Sequence, residues 1–288
     1  MTATFITARH VVQESVRRRV FLVVFLLTMA FLGLFILAAV KAFAGPAPFV
    51  FGSGNLIDAG QITSITTVTL LGLGAFASLF LATVLAVFLT LGAVRGDAER
   101  GLLQPLVVRP LGRAELLLGR FVGAVAVCVA YVTVLYGTVV VIVHQAGGQW
   151  PDHVVGPGLA LDAAVAILVA MSLLGSVFLS TTANGIAMFM LYGAGLVSGL
   201  LASIAAALGA QSLLTIAHDM AIVLPFEGLY QAALHALGSN QTGVTRVLVN
   251  LGPFGSSHAG GITFDIWSAA YLAIVALIAI VAFERRDL

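Results

Sequence analysis

Few residues in this 288-residue chain are able to do chemistry, and their spacing narrows what that chemistry is. A phosphate-gripping loop for ATP hydrolysis needs a lysine in a glycine-rich turn before a helix. The chain's only lysine, Lys41, follows Ala38-Ala39-Val40. There is no His-Glu-x-x-His pair for zinc hydrolysis and no aspartate-rich pair for magnesium–diphosphate. The single cysteine, Cys128, has no partner for an internal disulfide or a cysteine-based metal site. His144, His153, His218, His235 and His258 together with Asp152, Asp219 and Met220 offer metal-binding atoms. None of these pairs has a ligand spacing within one helix, so no metal site is expected.

Two other groupings remain. Residues 95–120 concentrate eight charges: Arg95, Asp97, Glu99, Arg100, Arg109, Arg113, Glu115 and Arg120. Between them Leu102, Leu103, Leu106 and Val107 recur at helical spacing, while Pro105 and Pro110 limit each helical piece to a turn or two. A charged, structured elbow of this kind suits a docking surface for a soluble partner. Elsewhere hydroxyls and small residues pattern within apolar runs: Thr67, Ser78 and Thr83 in one, Gly195, Gly199 and Ser203 in another. The hydroxyls could solvate a molecule passing through, or bond their own helix backbone. The small-xxx-small spacing permits close helix contact, within the subunit or across a dimer.

The elements that carry these groups are set by composition. Hydrophobic residues make up 60% of the chain, charged ones 9%, and the mean hydropathy is +1.11. Soluble domains carry roughly 25% charged residues, so a soluble protein is excluded, and disorder with it. A net charge of +1 implies no nucleic-acid partner. The expected fold is an all-α integral membrane protein with membrane lipid around it.

Six runs lack any Asp, Glu, Lys or Arg: residues 20–40, 65–94, 121–143, 163–182, 185–210 and 266–283. Each is near the roughly 20 residues a spanning helix needs. Six spans put both termini on one side, with the loops after the second and fourth. That side holds 11 of the 13 basic residues, leaving Lys41 and Arg246 opposite, so both termini are expected in the cytoplasm of a plasma-membrane protein. Arg18-Arg19-Val20-Phe21-Leu22 resembles a twin-arginine export signal, with Ala42-Phe43-Ala44 as a cleavage site. The apolar run exceeds the roughly 7–15 residues of a signal peptide, and the first span reads as a retained anchor.

The flanking segments are amphipathic. In residues 1–19, Phe5, Ala8, Val12 and Val16 share one helix face, as in an interfacial helix. The outer segment 211–264 holds two stretches ending at Pro225 and at Gly238-Ser239-Asn240. The second places Phe226, Leu229, Tyr230, Ala233 and Leu237 on one side. Both are too short to span, so they are expected to lie in or dip into the outer interface. Ion coupling or intramembrane catalysis needs an ionisable group at membrane depth, and all charges are expected outside the spans.

The elbow also carries a family likeness. Asp97-Ala98-Glu99-Arg100-Gly101-Leu102-Leu103, then Leu106-Val107-Val108-Arg109-Pro110-Leu111-Gly112-Arg113, then Glu115-Leu116-Leu117-Leu118-Gly119-Arg120, resembles permease subunits of ABC-2 type exporters. Leu102, Gly112 and Arg120 stand where that family typically has threonine, serine and lysine. The closing Phe283-Glu284-Arg285-Arg286-Asp287-Leu288 is similar to the family's C-terminus. Within the family the chain most resembles the multi-copper enzyme maturation type.

The resemblance implies a single 1–288 transmembrane domain without its own ATP site. It would work as a homodimer or heterodimer with a second permease subunit and a separate cytoplasmic ABC ATPase that binds ATP and Mg. Residues 95–120 would hold the coupling helix, with Asp97, Glu99, Arg100, Gly101, Leu102, Leu103, Leu106, Arg109 and Arg113 at the dock. The second and fifth spans would line the pathway near the dimer axis. Alternatives are a component transmitting ATPase movements to an extracytoplasmic partner, and an ion-coupled carrier.

Overall fold

Apolar runs of this length satisfy their backbone groups in lipid only as helices or closed barrels, and helices form. The computed structural model describes residues 19–44, 59–90, 113–148, 150, 153–238 and 260–285. Among the described residues there are eight α-helices and no strand. They are α1 (Arg19–Ala44), α2 (Ala59–Thr90), α3 (Arg113–Gly147), α4 (Val155–Phe178), α5 (Thr181–Leu208), α6 (Gln211–Val223), α7 (Pro225–Gly238) and α8 (Ile262–Glu284). Six of them, all but α6 and α7, are long and apolar enough to cross a membrane. The chain is an all-α, multi-pass membrane protein.

The helices do not stop where the uncharged runs stop. Arg113, Glu115 and Arg120 form the first turns of α3, Asp162 lies two turns inside α4, and α8 carries Asp265 and Glu284 at its ends. Near a helix end a polar partner makes a charge tolerable. The Thr133 hydroxyl on α3 lies within hydrogen-bond distance of both Asp162 carboxylate oxygens, at 3.3 and 3.1 Å, and of Val129 O at 2.9 Å, with one proton to share among them.

Burial separates the helices into centre and periphery. Of the most apolar stretch of α2, 83% is buried, and of α4, 67%; for α1 the share is 17% and for α8 it is 22%. α4 packs on α7, α3, α8 and α2, which makes it the hub of the bundle. Leu161, Val165, Leu168 and Val169 of α4 are buried with Leu71, Leu79 and Leu85 of α2 in the main core. A smaller cluster of Leu117, Leu173, Val177, Ala279 and Phe283 ties α3 and α4 to the end of α8.

After α5 the chain turns inward. Gly209 takes a left-handed conformation (φ 65°), which glycine adopts without a Cβ clash, and Ala210 N donates to Ala205 O at 3.0 Å. Helix α6 runs to Val223, and α7 leaves it at 111°. The expectation for this region was two helices in or dipping into an interface. α7 lies within the bundle, with Pro225 to Gln231 buried at every position.

Candidate functional site

The feature that distinguishes α7 is what it carries inward. Pro225 opens the helix, where its fixed φ is helical and its missing N–H costs nothing. Leu224 N donates to Met220 O (2.8 Å) and Glu227 N to Leu224 O (3.0 Å), so the backbone stays bonded through the bend. Trp267 on α8 clamps the same bend by donating Nε1–H to Ile222 O at 3.0 Å.

Three glycines let α7 come close to its neighbours. A Cβ at Gly195 on α5 would stand 2.9 Å from the Phe226 ring, and Gly199, one turn on, lies directly against Glu227 Oε1 and Gln231 Nε2. Gly228 faces the Phe264 ring of α8. Phe226 then stacks on Tyr192 with centroids 6.1 Å apart and planes inclined by 12°, a geometry that adds to the burial of both rings.

Glu227 is 2% exposed and Gln231 6%. They sit one turn apart, and Gln231 Nε2 donates to Glu227 Oε1 at 3.0 Å. The remaining oxygens, Glu227 Oε2 and Gln231 Oε1, are buried with no hydrogen-bond partner among the described residues. Beside them α5, α6 and α7 enclose a cleft of about 250 Å³ lined by Ser198, Gly199, Ala217, His218, Glu227 and Gln231 among others. Glu227 lies outside the six spans, in the segment expected at the outer interface, and is instead enclosed between helices. The expectation that all charges stand outside the spans is corrected at Asp162, two turns inside α4. Hydropathy over 20 residues misses Glu227 because its helix has only 14. The signal that could have found it is Glu227-x-x-x-Gln231 behind a helix-opening Pro225.

The residues singled out as pathway or dimer candidates fall in two places. Gly195, Gly199 and Ser203 share one side of α5; the first two meet α7, and Ser203 Oγ donates to Gly199 O at 3.0 Å. Thr67, Ser78 and Thr83 lie inside the subunit on α2. Ser78 bonds Gly74 O and Thr83 bonds Leu79 O, each at 2.7 Å, while Thr67 Oγ1 has no partner among the described residues. A separate polar contact joins α2, α4 and α5: the Thr90 and Ser172 hydroxyls bond each other, and Asn184 Nδ2 donates to Ser172 O at 3.0 Å. No group of three or more His, Cys, Asp or Glu residues comes together among the described residues.

Asp97, Glu99, Arg100, Gly101, Leu102, Leu103, Leu106 and Arg109 lie outside the described residues, as do residues 1–18 of the amphipathic N-terminal segment. Arg113 opens α3.

Six membrane-length helices, with a buried polar pair on a bent helix packed among them, define a multi-pass membrane domain. The family described as ABC-2 family transporter protein matches residues 6–288. The chain belongs to this family, whose members are membrane components of ABC transporters that work with a cytoplasmic ATPase. No curated protein matches the sequence.

Proposed function

We propose that the chain is the permease subunit of an ABC exporter, moving its cargo from the cytoplasm or the inner leaflet and driven by a separate ATPase subunit. Family membership over residues 6–288 carries this reading. The lack of a phosphate-binding lysine supports a division of labour, since ATP and Mg would be held by the partner. The charge-rich elbow, residues 95–120, supplies the dock: Asp97, Glu99, Arg100, Arg109 and Arg113 make polar contacts, and Leu102, Leu103 and Leu106 fill a groove of the ATPase beside Gly101. Two permease subunits, identical or related, complete the assembly. The 11-to-2 division of basic residues supports a plasma-membrane orientation with both termini in the cytoplasm.

Charge reversal at Glu99 or Arg100 tests the dock. Each variant should insert normally into the membrane, yet lose most of the ATPase activity that the wild-type permease elicits from its partner. Wild-type coupling in both variants would sink the docking assignment.

A further inference from the structure

Resting on the permease reading, a further inference concerns the chemistry of the cargo. Ionisable side chains buried between membrane helices are costly and mark functional sites. Glu227 is such a residue; no Lys or Arg lines the cleft beside it, and the one imidazole there is that of His218. Its single partner, Gln231, uses one N–H on Glu227 Oε1 and leaves its own carbonyl oxygen unbonded. The unused capacity of the pair is thus two acceptors, Glu227 Oε2 and Gln231 Oε1, both buried. A ligand that satisfies them must bring donors, and positive charge answers the carboxylate.

The size and walls of the cleft select among cations. A stripped calcium ion takes six to eight oxygens, far more than the two free oxygens and the Ser198 hydroxyl on offer. An ammonium carries up to three N–H donors on one nitrogen and needs only two or three acceptors. The volume of about 250 Å³ is several times the roughly 30 Å³ share of one water and leaves room for carbon. Gly199, Ala202, Leu214, Ala217 and Ala221 supply an apolar wall to receive it.

We propose that the cleft between α5, α6 and α7 binds an alkylammonium group of the transported molecule, with Glu227 Oε2 and Gln231 Oε1 accepting its N–H donors. Gly199 is part of the device. A Cβ there would collide with Glu227 Oε1 and Gln231 Nε2, so the hydrogen-bonded pair would have to shift.

The test is equilibrium binding of octylammonium to the full chain in phosphatidylcholine nanodiscs, corrected for partition into empty discs, with octanol as the uncharged control. Wild-type protein should bind octylammonium saturably, one per chain, and show no saturable binding of octanol. Glu227→Gln removes the charge at constant shape and Gly199→Ala crowds the pair. Each should weaken binding about tenfold or more, as expected for a lost charge-assisted hydrogen bond. Gel filtration confirms the fold, and the two variants act by unrelated means, so misfolding of one leaves the other to decide. Equal binding by octanol, unchanged affinity in a folded variant, or no saturable binding at all would overturn the proposal. So would displacement of octylammonium by millimolar sodium, which would assign the site to an inorganic ion. Binding needs neither ATP nor the partner subunit. A failure here therefore leaves the permease reading intact, and a failure of the Glu99 and Arg100 test leaves this one intact.

Discussion

Helices α1 and α7 invert the rule that apolar segments are buried. The most apolar stretch of α1 has a mean hydropathy of 2.8, the highest of the six membrane-length helices, yet only 17% of it is buried. Leu22, Leu26, Leu34 and Leu37 each point outward, at 58–69% exposure. Helix α7 carries Glu227, Gln231 and His235, and nine of its 14 residues are buried. In a bilayer this is the physical order. Lipid tails solvate leucine as well as protein does, so an apolar helix gains little from burial. A carboxyl or amide in hydrocarbon has nothing to bond, and so a polar helix must be enclosed by protein.

The largest effect should come from emptying the seat of α7. Phe226 is fully buried between Tyr192 and Gly195. Phe226→Ala should cost about 3–5 kcal/mol, the range for a large core ring, read as a lowered unfolding midpoint in detergent. Leu34→Ala on α1, at a position 69% exposed, should change stability by less than about 0.5 kcal/mol. Similar losses in the two variants would erase the distinction between the helices.

A smaller effect of opposite sign should come from the polar pair. Two buried acceptors without partners cost stability, and buried polar pairs are often replaced by apolar residues without loss. The double variant Glu227→Met, Gln231→Met keeps chain length and adaptable packing. It should be as stable as the wild type or up to about 2 kcal/mol more stable. A clear loss would show that the pair is a structural brace, and would recast α7 as an ordinary core helix.

The sequence made the membrane-length helices plain, the central α2 and α4 included, and left the placement of α7 obscure. All six membrane-length helices were legible because each contains an uncharged apolar run, although their ends were missed by several residues where Arg113, Asp162 and Asp265 extend the helices. The Gly195-x-x-x-Gly199 spacing announced a close approach. Spacing says that something comes near, and its identity depends on tertiary structure; here it is Phe226, Glu227 and Gln231. α7 could be read as a helix but not placed inside. Its enclosure depends on a turn at Gly209 and a 111° bend at Leu224, and no local periodicity encodes where such a bend delivers the next helix.

The bend itself provides the mildest perturbation. Trp267 is 37% exposed, and its ring sits at 6.2 Å edge-on to Tyr271. Its one bond to α6, from Nε1–H to Ile222 O, lies two residues before Leu224. Trp267→Phe keeps an aromatic ring at the position and removes only the donor. One net hydrogen bond is worth about 1 kcal/mol, so the unfolding midpoint should fall slightly. The loss should also be local. Ile222 O loses that donor where the backbone turns, so the amides of residues 222–224, 226 and 227 should exchange with solvent faster while those of α2 do not. Uniform exchange through both helices would mean that α7 opens only with the whole bundle. The contrast between a lipid-solvated α1 and an enclosed α7 would then lie in packing alone, with no separate hinge at Leu224.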